Sequence, residues 1–359
     1  MSAATVMSTK PNYEAPALLD SVVSMEASPR VERLREDLLN ATPIASIDRI
    51  RIETRVLKET EGEPIITRRA KVFAAVVRET PLYIYPEELL VGYPGVKRRC
   101  SHANPSPGLE KSLEKASSQR RGSMANFGFD RPDLRALSDE IKTELREEII
   151  PYWNAGGQWK KSLRVSHYGH NIVNFNKVLK KGFSGIKKEA ENRLARLDVA
   201  DPENAKKVDF LEGVIMGMEA AAELGARFAS KARELAEHEE DGVRKEELLQ
   251  IAEVCDRVPA NPARTFHEAI QSCYFTWFLS IWECPTAGGQ SVGRMDQYLD
   301  SYYENDLREG RITEAEAQEL IDCCLIKLEY ALPVAAVTVG GVKPNGHDAT
   351  NALSYMFIE

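Results

Sequence analysis

Gly288-Gly289-Gln290-Ser291-Val292-Gly293-Arg294-Met295-Asp296-Gln297-Tyr298-Leu299 lies between an apolar segment, 270–282, and an aromatic, acidic one, 298–306. Two glycines open the run, and glycine lets the backbone take positive φ or admit a close neighbour. Ser291, a third glycine and Arg294 follow. The composition predicts a polar loop held between two packed elements, a setting in which loops often carry function on a rigid scaffold.

Upstream, Thr265-Phe266-His267-Glu268 has the spacing of a capping box and starts a buried helix expected to end at Trp282. Its apolar part, 269–282, includes Gln271, Ser272 and Thr276 and is shorter than the roughly 20 residues that cross a bilayer. Residues 205–239 read as one long helix with Leu211, Val214, Ile215, Met218, Ala222, Gly225, Phe228, Ala232 and Leu235 on one stripe. Asp241-Gly242 breaks it, and 245–257 returns antiparallel. Downstream, Thr313-Glu314-Ala315-Glu316 caps a helix through Tyr330. Residues 334–340 form a strand candidate, and a last helix starts near Thr350.

Toward the N-terminus the periodicity predicts helices over 29–39, with Val31, Leu34, Leu38 and Leu39 on one face, over 47–60 behind an Ser46 cap, and over 64–77. Residues 82–85 and 89–93 read as two short strands around a turn. A long loop over 94–128 follows, then a helix from Asp130 that Pro151 is expected to end, then a polar turn over 153–161. Helix resumes after His170 up to Lys180-Lys181-Gly182 and again over 186–197.

The 359 residues carry a net charge of −8, with 43% hydrophobic and 28% charged side chains, an ordinary soluble composition. That charge excludes a general nucleic-acid binder, and Lys97-Arg98-Arg99 is too short for a basic tail. Six cysteines without a Cys-x-x-Cys pair read as reduced thiols of a cytosolic protein. Residues 1–27 are polar, lack the apolar core of a signal peptide and are expected to form a mobile arm. Neither a membrane nor a nucleic acid is an expected partner.

Several groups carry candidate chemistry. His167 and His170 have His-x-x-His spacing, but no Cys or carboxylate stands close, so satisfied histidines or substrate hydrogen bonding are favoured over a metal. Gly289-Gln290-Ser291-Val292-Gly293 spells the Gly-x-Ser-x-Gly of a hydrolase nucleophile elbow. That motif needs a strand before it and a helix directly after; here a helix precedes, and Cys284-Pro285-Thr286 intervenes. Ser291 as a simple turn cap stays open. Arg294 and Asp296 read as a structural ion pair. Gly340-Gly341 and Gly346 lack the Lys-Ser/Thr of a phosphate loop. Cys323-Cys324, mid-helix among leucines, read as core thiols.

Taken together, certain segments resemble a known family. They are 262–271 (Pro-Ala-Arg-Thr-Phe-His-Glu-Ala-Ile-Gln), Ser291-Val292-Gly293-Arg294-Met295-Asp296-Gln297-Tyr298-Leu299, Tyr302-Tyr303-Glu304-Asn305-Asp306, 312–317, and 340–351 with Gly340-Gly341-Val342-Lys343-Pro344-Asn345-Gly346. In order and spacing they are similar to the N-terminal half of glycyl radical enzymes of the pyruvate formate-lyase superfamily, closer to its lyase, dehydratase and arylacetate decarboxylase branches. The resemblance runs from about Ser28 to the last residue. It implies an α/β fold rich in helix, the N-terminal part of a ten-stranded β/α barrel, incomplete in this chain, with 28–359 as one unit.

The resemblance also implies thiyl-radical hydrogen abstraction from a small polar or carboxylated substrate, with His170, Ser291, His167 and Gln290 as substrate contacts. No catalytic residue and no metal ligand is expected here: no Cys-x-Glu occurs, nor a terminal Arg-Val-x-Gly-Tyr-like loop. The glycyl radical would be installed in the missing part by an activating enzyme that uses S-adenosylmethionine and an iron–sulfur cluster. Expected partners are that enzyme, a separate C-terminal chain if the enzyme is split, and a second copy once complete. The chain alone is expected to be inactive, and its unclosed strands to favour poor solubility or a partner. The competing classes are a non-catalytic helical scaffold derived from the same fold and, less favoured, the serine hydrolase.

Overall fold

The structure, a computed structural model, describes residues 26–42, 44–93, 100–102, 109–114, 132–155, 170–284, 289–329 and 335–359. The N-terminal arm and His167 lie outside the described residues.

Ser28 Oγ accepts from Val31 N and caps α1 (Pro29–Asn40), with a proline in the first turn. Val31, Leu34 and Leu38 are buried, but Leu39, expected on the same face, is 68% exposed. A short β1 (Ile44–Ser46) follows, and Ser46 Oγ accepts from Asp48 N at 3.1 Å to cap α2 (Asp48–Glu59). Next comes α3 (Ile65–Glu79).

Residues 82–93 are not strands, contrary to the sequence expectation. No neighbouring strand supplies their hydrogen bonds; side chains do. Gln271 accepts from Val91 N at 2.8 Å and donates to Val91 O at 3.0 Å. Tyr274 Oη donates to Gly92 O, and His267 Nε2 to Leu89 O.

The long loop contains β2 (Cys100–His102), parallel to β1, and α4 (Leu109–Glu114). Then α5 (Pro132–Arg135) and α6 (Asp139–Glu144) lead through a π-helical turn at Leu145–Ile149 into α7 (Ile150–Asn154). The helix therefore does not stop at Pro151. The wider turn ahead of it accommodates a residue that cannot donate to the preceding turn. Trp153, expected in a polar turn, is buried and donates from Nε1 to Thr54 Oγ1 at 2.9 Å. These elements and one face of α2 enclose a small core of Ile47, Ile50, Leu57, Leu145, Ile149 and Trp153.

β3 (His170–Asn171) precedes α8 (Phe175–Leu194), which does not end at Gly182 but kinks there at φ 63°. The 34-residue α9 (Ala205–His238) packs with α10 (Gly242–Arg257), whose start is capped by the Asp241 carboxylate. At the heart of the main core is α11 (Phe266–Glu283), capped by Thr265 Oγ1. The Glu268 carboxylate turns back to Arg264 N rather than to the cap residue, so only half of the expected box forms. β4 (Gly289–Gln290), α12 (Met295–Arg308), α13 (Glu314–Glu329) and α14 (Ala352–Met356) complete the order. The box at Thr313 is full: Glu316 N donates to Thr313 Oγ1 and Thr313 N to Glu316 Oε2.

β3 and β4 run parallel, with His170 opposite Gly289 and Asn171 opposite Gln290. The pairing extends to a third segment: Val292 N donates to Ala336 O at 3.2 Å and Thr338 N to Gly293 O at 2.9 Å. Of the strand expected over 334–340, the described residues show this single parallel bridge, Gly293 to Val337. Parallel neighbours need long crossovers. Helices α8 to α11 cross between the first two segments, and α12 with α13 between the second and third.

Candidate functional site

The parallel segments bring the backbone of His170 next to the strand that carries Gln290 and Ser291, three of the four sequence-predicted residues; His167 lies outside the described residues. The backbone of His170 lies beside Gly289, two residues before Ser291. Trp277 Nε1 donates to Gln290 O at 2.6 Å and ties β4 to the buried helix α11. Val292 belongs to the main core. Strand alternation puts Gln290 on the face of Val292 and turns Ser291 to the opposite one. Gln290 is 3% exposed and Ser291 7%.

Behind Ser291 the chain is fixed by a buried polar cluster. Asp296 is fully buried at the start of α12; its Oδ2 accepts from Gly340 N and Ser354 Oγ, both at 2.6 Å, and from Gln297 Nε2 at 2.9 Å. Its backbone carbonyl accepts from Asn351 Nδ2 at 2.8 Å. The Arg294 guanidinium donates to Gly340 O. Arg294 and Asp296 do not form the expected ion pair with each other. They hold the N–H and the C=O of the same glycine instead, which anchors the end of the third segment to the start of α12. Asn351 and Ser354 form a reciprocal cap on α14 within the same cluster.

The hydrolase reading finds no support. A nucleophile elbow places its serine on a sharp, strained strand-to-helix turn. Here the positive φ, 70°, falls on Gly293, and Glu87 is the one non-glycine residue with positive φ among those described. Among the described residues no group of three or more His, Cys, Asp or Glu is placed to hold a metal ion, and no helix is long and apolar enough to cross a membrane. All six cysteines are buried thiols outside any disulfide. Burial pushes the Cys324 thiol up to about 12, opposed by the nearby Lys327 ammonium, and Cys255, Cys273 and Cys323 are shifted upward by burial too.

Sequence reasoning missed Trp277, which positions β4, and Gln271, which holds residue 91. Trp277 stands in an aromatic run where nothing separates a hydrogen-bonding indole from a core one. Gln271, polar in a buried helix, was the visible signal of a partner.

Comparison with known proteins places this geometry. Residues 24–359 match the family described as pyruvate formate lyase-like. The isethionate sulfite-lyase of Desulfovibrio desulfuricans is 33% identical over 377 residues, covering 92% of this chain and 44% of that protein. The trans-4-hydroxy-L-proline dehydratase of Clostridioides difficile is 32% identical, with 92% of this chain and 45% of that one covered. Among solved structures, the glycerol-bound B12-independent glycerol dehydratase of Clostridium butyricum superposes with a TM-score of 0.82 at 31% identity, over 94% of this chain and 46% of its own. The chain thus spans less than half the length of the relatives it matches. The parallel segments with their helical crossovers are the first part of those barrels, and the chain belongs to the pyruvate formate lyase-like family of glycyl radical enzymes.

Proposed function

We propose that the three strand ends form one wall of the substrate site of a glycyl radical lyase or dehydratase, to which this chain contributes the N-terminal portion. The observation that carries the reading is the place of Ser291: a serine only 7% exposed, on the strand paired with His170 and turned to the face opposite Val292. A substrate hydroxyl or carboxylate is the proposed partner of its Oγ. His170 stands beside that strand in the backbone; Gln290, whose side chain alternates to the other face, and His167 are the remaining proposed contacts. The similar enzymes are named for isethionate, hydroxyproline and glycerol, small polar molecules that each bear a hydroxyl. The substrate class proposed here is the same.

On this reading the residues of this chain bind and orient. A glycyl radical and a reacting cysteine, carried outside these residues and generated by an S-adenosylmethionine-dependent iron–sulfur activating enzyme, supply the hydrogen abstraction. The setting is the reducing cytoplasm, and the complete enzyme is a homo-oligomer.

The test is anaerobic co-expression with the C-terminal half of the isethionate or hydroxyproline enzyme and its activating enzyme. Electron paramagnetic resonance reads the radical, and product assays cover isethionate, hydroxyproline and glycerol. The expected result is turnover of one of them, none from the 359 residues alone, and a drop in kcat/KM of about 10-fold or more for Ser291→Ala, the equivalent of one lost buried hydrogen bond. A radical without turnover of any of the three, or full activity in Ser291→Ala, overturns the proposal.

A further inference from the structure

A second feature of the core concerns electrons rather than substrate. Tyr93 is buried, and its phenol donates a hydrogen bond to Glu88 Oε1. The same carboxylate accepts from Lys327 Nζ at 2.8 Å and from Tyr85 N at 2.9 Å. Removing an electron from a phenol makes it a strong acid, so a tyrosine in a dry core is oxidised readily only where a base stands ready for its proton. Tyr274, deep in the core, and Tyr298, partly buried against it, donate to the carbonyls of Gly92 and Val292, which cannot take a proton. Tyr93 has a carboxylate, which also pairs with the Lys327 ammonium.

Tyr93 is also connected in both directions. Lys327 Nζ lies 3.9 Å from the centre of the Tyr93 ring and 5.4 Å from that of Tyr274. The Tyr274 ring is 5.7 Å from that of Trp277, whose indole N–H holds Gln290 O at the strand ends. Outward, the Tyr93 ring meets Tyr85 edge-on at 5.6 Å, and Tyr85 stacks with Tyr83 at 6.3 Å. Tyr83 is 36% exposed. Oxidisable rings thus run from Trp277 to Tyr274 and from Tyr93 through Tyr85 to Tyr83 at the surface, the two runs meeting across the Lys327 side chain that lies over both Tyr274 and Tyr93.

We propose that Tyr93 is a redox-active tyrosine, and that Trp277, Tyr93, Tyr85 and Tyr83 pass an oxidising equivalent from the strand ends to the surface, with Tyr274 as the packed bridge. Its use in this protein rests on the function proposed above, in which a stray site radical is the oxidant. That radical takes one electron from Trp277 and a proton from solvent. Tyr93 refills Trp277 and gives its proton to Glu88; Tyr85 gives an electron to Tyr93 as Glu88 returns the proton, and Tyr83 gives an electron to Tyr85, which so keeps its own proton. Tyr83, oxidised last, loses its proton to water. A low-molecular-weight thiol then donates one hydrogen atom to restore it, and two thiyl radicals so formed pair as a disulfide.

The test needs no glycyl radical, so its failure and the failure of the proposed function are separable. The purified chain is oxidised with photogenerated tris(bipyridine)ruthenium(III), persulfate being the sacrificial acceptor, then freeze-quenched for electron paramagnetic resonance. A neutral tyrosyl component is expected that is lost in Tyr93→Phe. It is also lost in Tyr85→Phe, a half-buried substitution that keeps the ring and leaves Tyr93 in place, and retained in Tyr152→Phe. The absence of a tyrosyl signal in the wild-type chain overturns the proposal. So does a spectrum unchanged in Tyr93→Phe, or a Tyr93 component that survives in Tyr85→Phe.

Discussion

Two glycines about two turns apart on α9 should respond in opposite directions to the same substitution. A Cβ added at Gly225 would stand 2.3 Å from Cys255 O and 2.3 Å from Val258 O, both main-chain atoms at the end of α10. Neither can swing aside as a side chain would, so α9 and α10 must separate. Overpacking of a tight contact costs about 1–3 kcal/mol, and two carbonyls at that distance put this site at the upper end. Replacing glycine by alanine inside a helix returns about 1 kcal/mol. Gly225→Ala is therefore expected to destabilise by about 2 kcal/mol. At Gly217 the nearest atom to an added Cβ is in the Phe73 ring at 3.7 Å, ordinary contact. Gly217→Ala should keep the propensity gain and stabilise by up to about 1 kcal/mol. Urea unfolding followed by far-ultraviolet circular dichroism measures both. If Gly225→Ala is as stable as Gly217→Ala, the close approach of the two helices is not what the glycine serves.

Lys327→Met leaves the buried Glu88 carboxylate without its ammonium and should cost about 3–5 kcal/mol; Lys327→Met with Glu88→Gln should recover part of that, and equal instability of single and double variants refutes the coupling. Burial holds the His267 imidazole below its ordinary 6.5, with the Leu89 carbonyl and Glu268 pulling the other way. The unfolded chain then takes up the proton first, so this contribution to stability is whole above pH 6.5 and shrinks as pH falls below it. His267→Gln should flatten that slope in pH-dependent unfolding, and an unchanged slope counts against it. The six cysteines are buried, so a thiol reagent at mildly alkaline pH should label none until denaturant is added; rapid labelling of the native chain contradicts their burial.

What was legible in the sequence was the helical frame. The stripe on α9, the apolar length of α11 and the Thr313–Glu316 box each depend on residues within a few positions of one another, and each formed. The strands were not legible for the opposite reason. β3 and β4 are two residues long, too short to show alternation, and their partner lies across four helices. Residues 82–85 and 89–93 read as two short strands around a turn, yet they are not strands, because Gln271, Tyr274 and His267 on α11 supply the hydrogen bonds a neighbouring strand would have given. Pro151 misled in the same way, since the π turn that absorbs it depends on packing around Trp153 rather than on local sequence.

The candidate site was legible as far as chemistry and not as geometry. Ser291 stood out as a hydroxyl among glycines, and the fold does bury it beside the strand of His170. Arg294 and Asp296 stood out as opposite charges, but residues two apart at a helix start do not face each other. They reach the same distant peptide at Gly340, which no spacing rule encodes. The consequence bears on how the site is held. Through Trp277, α11 grips Gln290 on one side, and through Gln271 and Tyr274 it grips residues 91 and 92 on the other. One buried helix therefore sets both the strand that carries Ser291 and the segment that carries Tyr93. A displacement of α11 by a single overpacked core residue should disturb the two together, whereas a change confined to either loop should leave the other in place.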